Sequence, residues 1–162
     1  MTTLHRHVFL LCCGFVATTL RGDVTLAPLF RDGAVLQRDK PVPVWGKSEP
    51  GESVRVRFGP QSLTATAGSD GRWSVTFAPL RASAEPAELI VTGRNTLRVS
   101  DILVGEVWLC SGQSNMNWPV ANSQNAAAEI AAARNPHIRY FGVANVGAET
   151  PRDTTDGAWK RA

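Results

Sequence analysis

Between residues 24 and 100 the chain is cut by glycine and proline into short runs of alternating polar and apolar residues. An average helix needs about 11 unbroken residues, and few stretches here offer them. Ser53-Val54-Arg55-Val56-Arg57-Phe58 alternates with period two, the pattern of a strand with one face buried. Ser62-Leu63-Thr64-Ala65-Thr66-Ala67 does the same, and Gly59-Pro60 between the two suits a hairpin connection. Ser69-Asp70-Gly71 predicts a turn into Trp73-Ser74-Val75-Thr76-Phe77, where Trp73, Val75 and Phe77 share one face. Val42-Pro43-Val44-Trp45 ends at Gly46, and Glu88-Leu89-Ile90-Val91-Thr92 and Thr96-Leu97-Arg98-Val99-Ser100 flank the turn Gly93-Arg94-Asn95. About seven short strands so closely spaced predict an all-β sandwich over residues 23–101. Trp45 and Trp73 read first as core residues, with sugar-stacking platforms as the alternative.

The pattern changes after Asp101. Ile102-Leu103-Val104-Gly105 and Val107-Trp108-Leu109-Cys110 form a nearly continuous apolar stretch, broken only by Glu106, as in a parallel-sheet strand buried on both faces. A polar loop follows over residues 111–117. Ala126-Ala127-Ala128-Glu129-Ile130-Ala131-Ala132-Ala133-Arg134 has strong helix propensity, with Asn122 or Ser123 to cap it and Asn135-Pro136 to stop it. Ile138-Arg139-Tyr140-Phe141-Gly142-Val143 reads as the next strand. Strand, loop, helix and strand predict one βαβ unit, the start of an α/β domain over residues 102–162.

The first 22 residues differ from the rest. His5-Arg6-His7 is followed by an apolar run from Val8 to Leu20, and Arg21-Gly22-Asp23 ends it. This order predicts a secretory signal peptide cut after Gly22, hence a secreted or periplasmic protein. The run falls short of the about 20 apolar residues a membrane span needs, so no stable span is expected once the leader is gone. Its removal takes Cys12 and Cys13, leaving Cys110 alone and excluding an intrachain disulfide. It also takes His5 and His7 and leaves His137. The net charge of +3 comes from scattered arginines with no basic cluster, which argues against nucleic acid as a partner.

The chemistry points to Ser111-Gly112-Gln113-Ser114-Asn115-Met116. In open parallel sheets catalytic groups gather at the C-terminal ends of strands. Gly112 permits a close-approaching backbone. A serine at a strand-to-helix junction offers its hydroxyl to the surface, and free N–H groups beside it can stabilise an oxyanion. Serine still needs a base, usually a histidine oriented by an acid. Taken alone, such a loop is a weak signal, because it is not the Gly-x-Ser-x-Gly elbow of α/β-hydrolases.

The longer segment Val104-Gly105-Glu106-Val107-Trp108-Leu109-Cys110-Ser111-Gly112-Gln113-Ser114-Asn115-Met116 closely resembles the signature of the sialate O-acetylesterase family. Val35-Leu36-Gln37-Arg38-Asp39-Lys40-Pro41-Val42-Pro43-Val44-Trp45-Gly46 and Asp70-Gly71-Arg72-Trp73-Ser74-Val75 resemble that family's N-terminal region. The resemblance implies a β-sandwich-like domain followed by an SGNH-hydrolase domain. It also implies hydrolysis of O-acetyl esters on sialic acids or other acetylated sugars, with no metal or organic cofactor. It makes Ser114 the nucleophile, its own N–H part of the oxyanion hole, and Gly112, Gln113 and Asn115 residues that shape the site.

Three departures stand out. Asn117 replaces the family's usual glutamate after the motif's methionine, which removes a charge beside the site. Gly33-Ala34 stands where a His-Met or Asn-Met pair is common. The family's Asp-x-x-His element, which supplies the base near the end of a much longer chain, has no counterpart here. His137, directly after Pro136, reads as a surface histidine, and Cys110 as a buried, inert thiol. The matched segment therefore carries a nucleophile without its base, and negligible esterase activity is expected of it alone. The competing expectation is a glycan-binding or interaction module without catalysis.

Overall fold

The computed structural model describes residues 22–144, 146–152 and 154–162. Residues 1–21 of the expected leader, with Cys12, Cys13, His5 and His7, lie outside the described residues, as do Asn145 and Asp153.

The strands are β1 (Thr25–Leu26), β2 (Val35–Gln37), β3 (Val42–Lys47), β4 (Ser53–Phe58), β5 (Gln61–Thr66), β6 (Arg72–Phe77), β7 (Ser83–Thr92), β8 (Thr96–Gly105), β9 (Arg139–Val143) and β10 (Gly157–Arg161). One helix, α1 (Ala126–Ala132), and two short 3-10 turns, Ser114–Asn117 and Val120–Asn122, lie between β8 and β9. A three-stranded sheet runs β1-β3-β6 and a five-stranded sheet β2-β8-β7-β4-β5. Neighbours pair antiparallel except β2 and β8, which are parallel with Val35 opposite Leu103.

Period-two patterning builds the core. Val42 and Val44 of β3 and Trp73, Val75 and Phe77 of β6 turn one way; Val54, Val56 and Phe58 of β4 meet them from the larger sheet, joined by Leu89, Val91, Val99, Ile102 and Val104. The two sheets thus share one cluster of buried side chains. The β4–β5 hairpin turns on Gly59-Pro60 as the alternation predicts, with Gly59 in the left-handed region. Gly46 is required for a different reason: a Cβ there would sit inside the Thr25 carbonyl and 2.7 Å from the Trp73 ring, so β1 could not lie on β3. Asn95, in the β7–β8 turn, fastens the start of the sheet region by accepting from the Val24 N–H (2.7 Å) and donating to its carbonyl (3.2 Å).

The second region departs from the βαβ expectation. Ile102, Leu103 and Val104 are buried, but as the end of β8, between β7 and β2. The expected boundary between residues 101 and 102 therefore falls inside a strand. The irregularity that looked like a boundary is a bulge: Leu89 pairs with Val99 and Ala87 with Ile102, so Ser100 and Asp101 together oppose Glu88. Val107-Trp108-Leu109-Cys110 forms no strand; Trp108 is 82% exposed and Leu109 94%. Cys110 is likewise exposed, not buried. β9 pairs antiparallel with β10, so the described residues contain no βαβ unit. α1 is also shorter than its propensity implies and starts after Asn125, which is in the left-handed region and makes no side-chain cap. α1 buries no residue, and propensity alone sustains only a short helix. Among the described residues no helix is long and apolar enough to cross a membrane.

The segment between β8 and β9 is thus an exposed excursion. Amide exchange followed by mass spectrometry is expected to be slow along β8 as far as Val104 and fast over residues 107–124, since unpacked backbone opens at little cost. Protection over residues 107–110 equal to that of β8 would contradict this picture.

Candidate active-site loop and the clamp behind it

The signature loop leaves β8 under local control. Gln37 Nε2 donates to Glu106 Oε2 (3.1 Å), and Gln37 Oε1 accepts from the Val107 N–H (2.9 Å), which fixes the chain as it leaves the sheet. Ser114 is the first residue of its 3-10 turn. Gln113 precedes it in extended conformation, and its carbonyl accepts the Met116 N–H (2.9 Å). Gly112 makes room for Met116: a Cβ would lie 2.6 Å from Met116 Cγ. Ser111, Gly112, Gln113, Ser114 and Asn115 are all exposed, and the turn buries no residue.

The loop therefore displays the Ser114 hydroxyl to solvent. Among the described residues no hydrogen bond joins Ser114 to a histidine or a carboxylate. His137 is exposed, and its backbone N–H donates to Asn135 Oδ1 (3.0 Å). Asp156 is exposed too. No group of three or more His, Cys, Asp and Glu among the described residues is arranged to hold a metal.

No family model matches the chain. Individual relatives do. The chain is 32% identical over 133 residues to mouse sialate O-acetylesterase, a match covering 73% of this chain and 24% of the mouse protein. Human sialate O-acetylesterase is 34% identical over 118 residues, 65% of this chain and 22% of the human one. The crystal structure of a carbohydrate acetylesterase from Xanthomonas citri superposes with a TM-score of 0.81 at 39% identity, over 86% of this chain and 32% of that one. The chain belongs to the sialate O-acetylesterase family. It spans about a quarter of the length of the curated sialate O-acetylesterases it matches.

What the patterns of this sialate O-acetylesterase relative did not reveal is a clamp that ties the β9–β10 hairpin to the main sheets. Arg139, with only 3% of its side chain exposed, donates to the Asp101 backbone carbonyl and to its carboxylate (2.8 Å). Arg161 donates to the other carboxylate oxygen (2.8 Å). Asp101 has φ +56°, a conformation its short polar side chain tolerates, and this turns the carboxylate out of the bulge. Trp159 completes the docking: its indole N–H donates to the Leu29 carbonyl (2.8 Å) and its ring stands 5.5 Å from Phe141. The partners lie 38 and 60 residues apart. The one local signal for them was an acidic residue at the break in alternation.

The hydrogen bonds from Arg161 and then Arg139 hold the Asp101 carboxyl below its ordinary value. A carboxylate favoured in the fold contributes its full stability above the unfolded value near about 3.9 and loses it as pH falls through the lower folded value. Asp101→Asn keeps the backbone preference and removes the charge. It is expected to cost about 1–2 kcal/mol at pH 7, the usual range for a part-exposed charged hydrogen bond. That cost should shrink toward nothing in acid, and hydrogen exchange should place it in β9 and β10. Equal destabilisation at both pH values would show that the charge is not what matters.

Proposed function

We propose that this chain contributes the nucleophile of a carbohydrate O-acetylesterase, with Ser114 attacking O-acetyl esters of sialic acids or other acetylated sugars. The supporting observation is the placement of Ser114 in a chain of this family. It heads an exposed turn, and the Ser114 and Asn115 N–H groups have no partner among the described residues.

In this reading Ser114 Oγ adds to the acetyl carbonyl as a base takes its proton. The Ser114 N–H receives the developing oxyanion, the sugar hydroxyl leaves with a proton, and water then releases acetate. Gly112, Gln113 and Asn115 shape the loop. The base and its orienting acid come from the parts of the family's longer chains that this segment does not match, so the segment alone turns over negligibly. The two core-sharing sheets serve as a β-sandwich platform, and the residues after β8 supply the loop and first elements of an SGNH-hydrolase domain. The first 22 residues act as a secretory leader that directs the protein to the periplasm or the exterior.

The test is a chimera in which residues 24–162 replace the matching segment of the Xanthomonas citri carbohydrate acetylesterase. The chimera should release acetate from p-nitrophenyl acetate and from acetylated sugars, and the isolated chain should not. Robust turnover by the isolated chain would remove the need for an outside base. A folded chimera with no turnover would sink the esterase reading.

A further inference from the structure

The outward face of the β1-β3-β6 sheet carries a groove of about 410 Å³ that shares no residue with the Ser114 loop. Alternation puts Trp45 and Lys47 of β3 and Arg72 and Ser74 of β6 on the face opposite the core. The pairing register makes two ranks of them: Trp45 lies opposite Ser74, and Lys47 lies between Thr25 and Arg72.

Three features set this face apart from an ordinary solvated sheet. First, Trp45 is not the core residue its apolar surroundings predict. It is 37% exposed and lines the groove, its ring braced at a near right angle by Phe30 with centroids 4.9 Å apart. Second, Lys47 and Arg72 are directly opposite. Arg72 pairs with Asp70 (3.4 Å), whereas Lys47 has no ion pair among the described residues. Third, Trp73, whose side chain belongs to the core, also borders the groove, and its indole N–H has no partner among the described residues. An orphaned buried donor is uncommon.

A braced aromatic ring, a cation beside it and hydroxyls from Thr25 and Ser74 match one ligand chemistry. The C–H face of a pyranose stacks on an indole, its hydroxyls meet the threonine and serine, and a carboxylate on the same ring meets the ammonium. The volume lies within the range of small-ligand pockets, about 300–1,000 Å³. We propose that this groove binds an acidic saccharide, with the sugar ring on Trp45 and its carboxylate at Lys47. The site retains an acidic glycan on the protein without turning it over.

The experiment titrates the chain with α2,8-linked trisialic acid and, separately, with the neutral trisaccharide maltotriose, followed by calorimetry and amide chemical shifts. Binding is read without turnover, so its failure and the failure of the Ser114 reading are separate results. The acidic trimer should bind about tenfold more tightly than maltotriose and weaken as salt is added, with shifts centred on β3 and β6. Trp45→Ala should weaken it about tenfold through loss of stacking. Because that variant also removes the Phe30 contact, Lys47→Gln, a surface change, provides the second reading. It should reduce the preference for the acidic trimer by about fivefold and flatten the salt dependence. Equal affinity for the two trisaccharides, or undiminished acidic-trimer binding in Lys47→Gln, overturns the proposal.

Discussion

Ser114→Ala in the chimera is expected to lower kcat for acetyl-ester hydrolysis by on the order of 10³-fold or more and to leave KM nearly unchanged. Alanine removes the only atom that forms the covalent intermediate. The rest of the loop, including the backbone N–H at that position, is retained. The fold should not register the change. Ser114 is exposed, its turn buries nothing, and its hydroxyl makes no hydrogen bond among the described residues. Surface substitutions of this kind usually fall within about 0.5 kcal/mol of neutral. An unchanged unfolding midpoint beside a collapsed kcat therefore identifies a nucleophile rather than a structural residue. Cys110, exposed four positions earlier, is the natural competitor. Loss of turnover in Cys110→Ser with retention in Ser114→Ala would reverse the assignment.

Phe77→Ala is expected to cost about 3–5 kcal/mol, the usual range for emptying a buried phenylalanine site. Phe77 is fully buried on β6 in the smaller sheet, and its ring lies 6.3 Å from Phe58 on β4 in the larger one. It is one of the side chains through which the two sheets share a core. Its removal takes away transfer energy and leaves a cavity that neither sheet can close without moving its strands. Against a typical stability of about 5–15 kcal/mol, this leaves the domain marginal. Urea unfolding at neutral pH measures the loss directly. Trp118→Ala removes a larger ring and should cost little, because Trp118 is 63% exposed and outside the core. A loss at Trp118 matching that at Phe77 would mean that the excursion packs against something in solution.

Where alternation was unbroken, strands were legible to within a residue or two. β4, β6 and the Gly59-Pro60 hairpin follow from period two and one turn, both local properties. Legibility failed first at Ser100-Asp101. A bulge adds one residue to one strand and shifts the phase of the alternation, so β8 looked like two strands in two domains. It failed again at Val107-Trp108-Leu109-Cys110, where four apolar residues imply burial that no neighbouring element among the described residues provides. The signature around Ser114 was legible because it is a long contiguous motif. The Asp101 clamp was not, because its members are scattered through the chain.

Which residues face inward along each strand, where the chain turns, and which loop carries the motif around Ser114 could all be read along the chain. Each is set within a few residues by side-chain polarity and backbone preference. That Ile102, Leu103 and Val104 close the first core, that β9 pairs with β10, and that Trp45 faces a groove and not the interior emerged from long-range packing. Those outcomes depend on which distant segment offers a free strand edge or an opposing charge. Period two tells a residue that it points to one side of a sheet, but not what waits there.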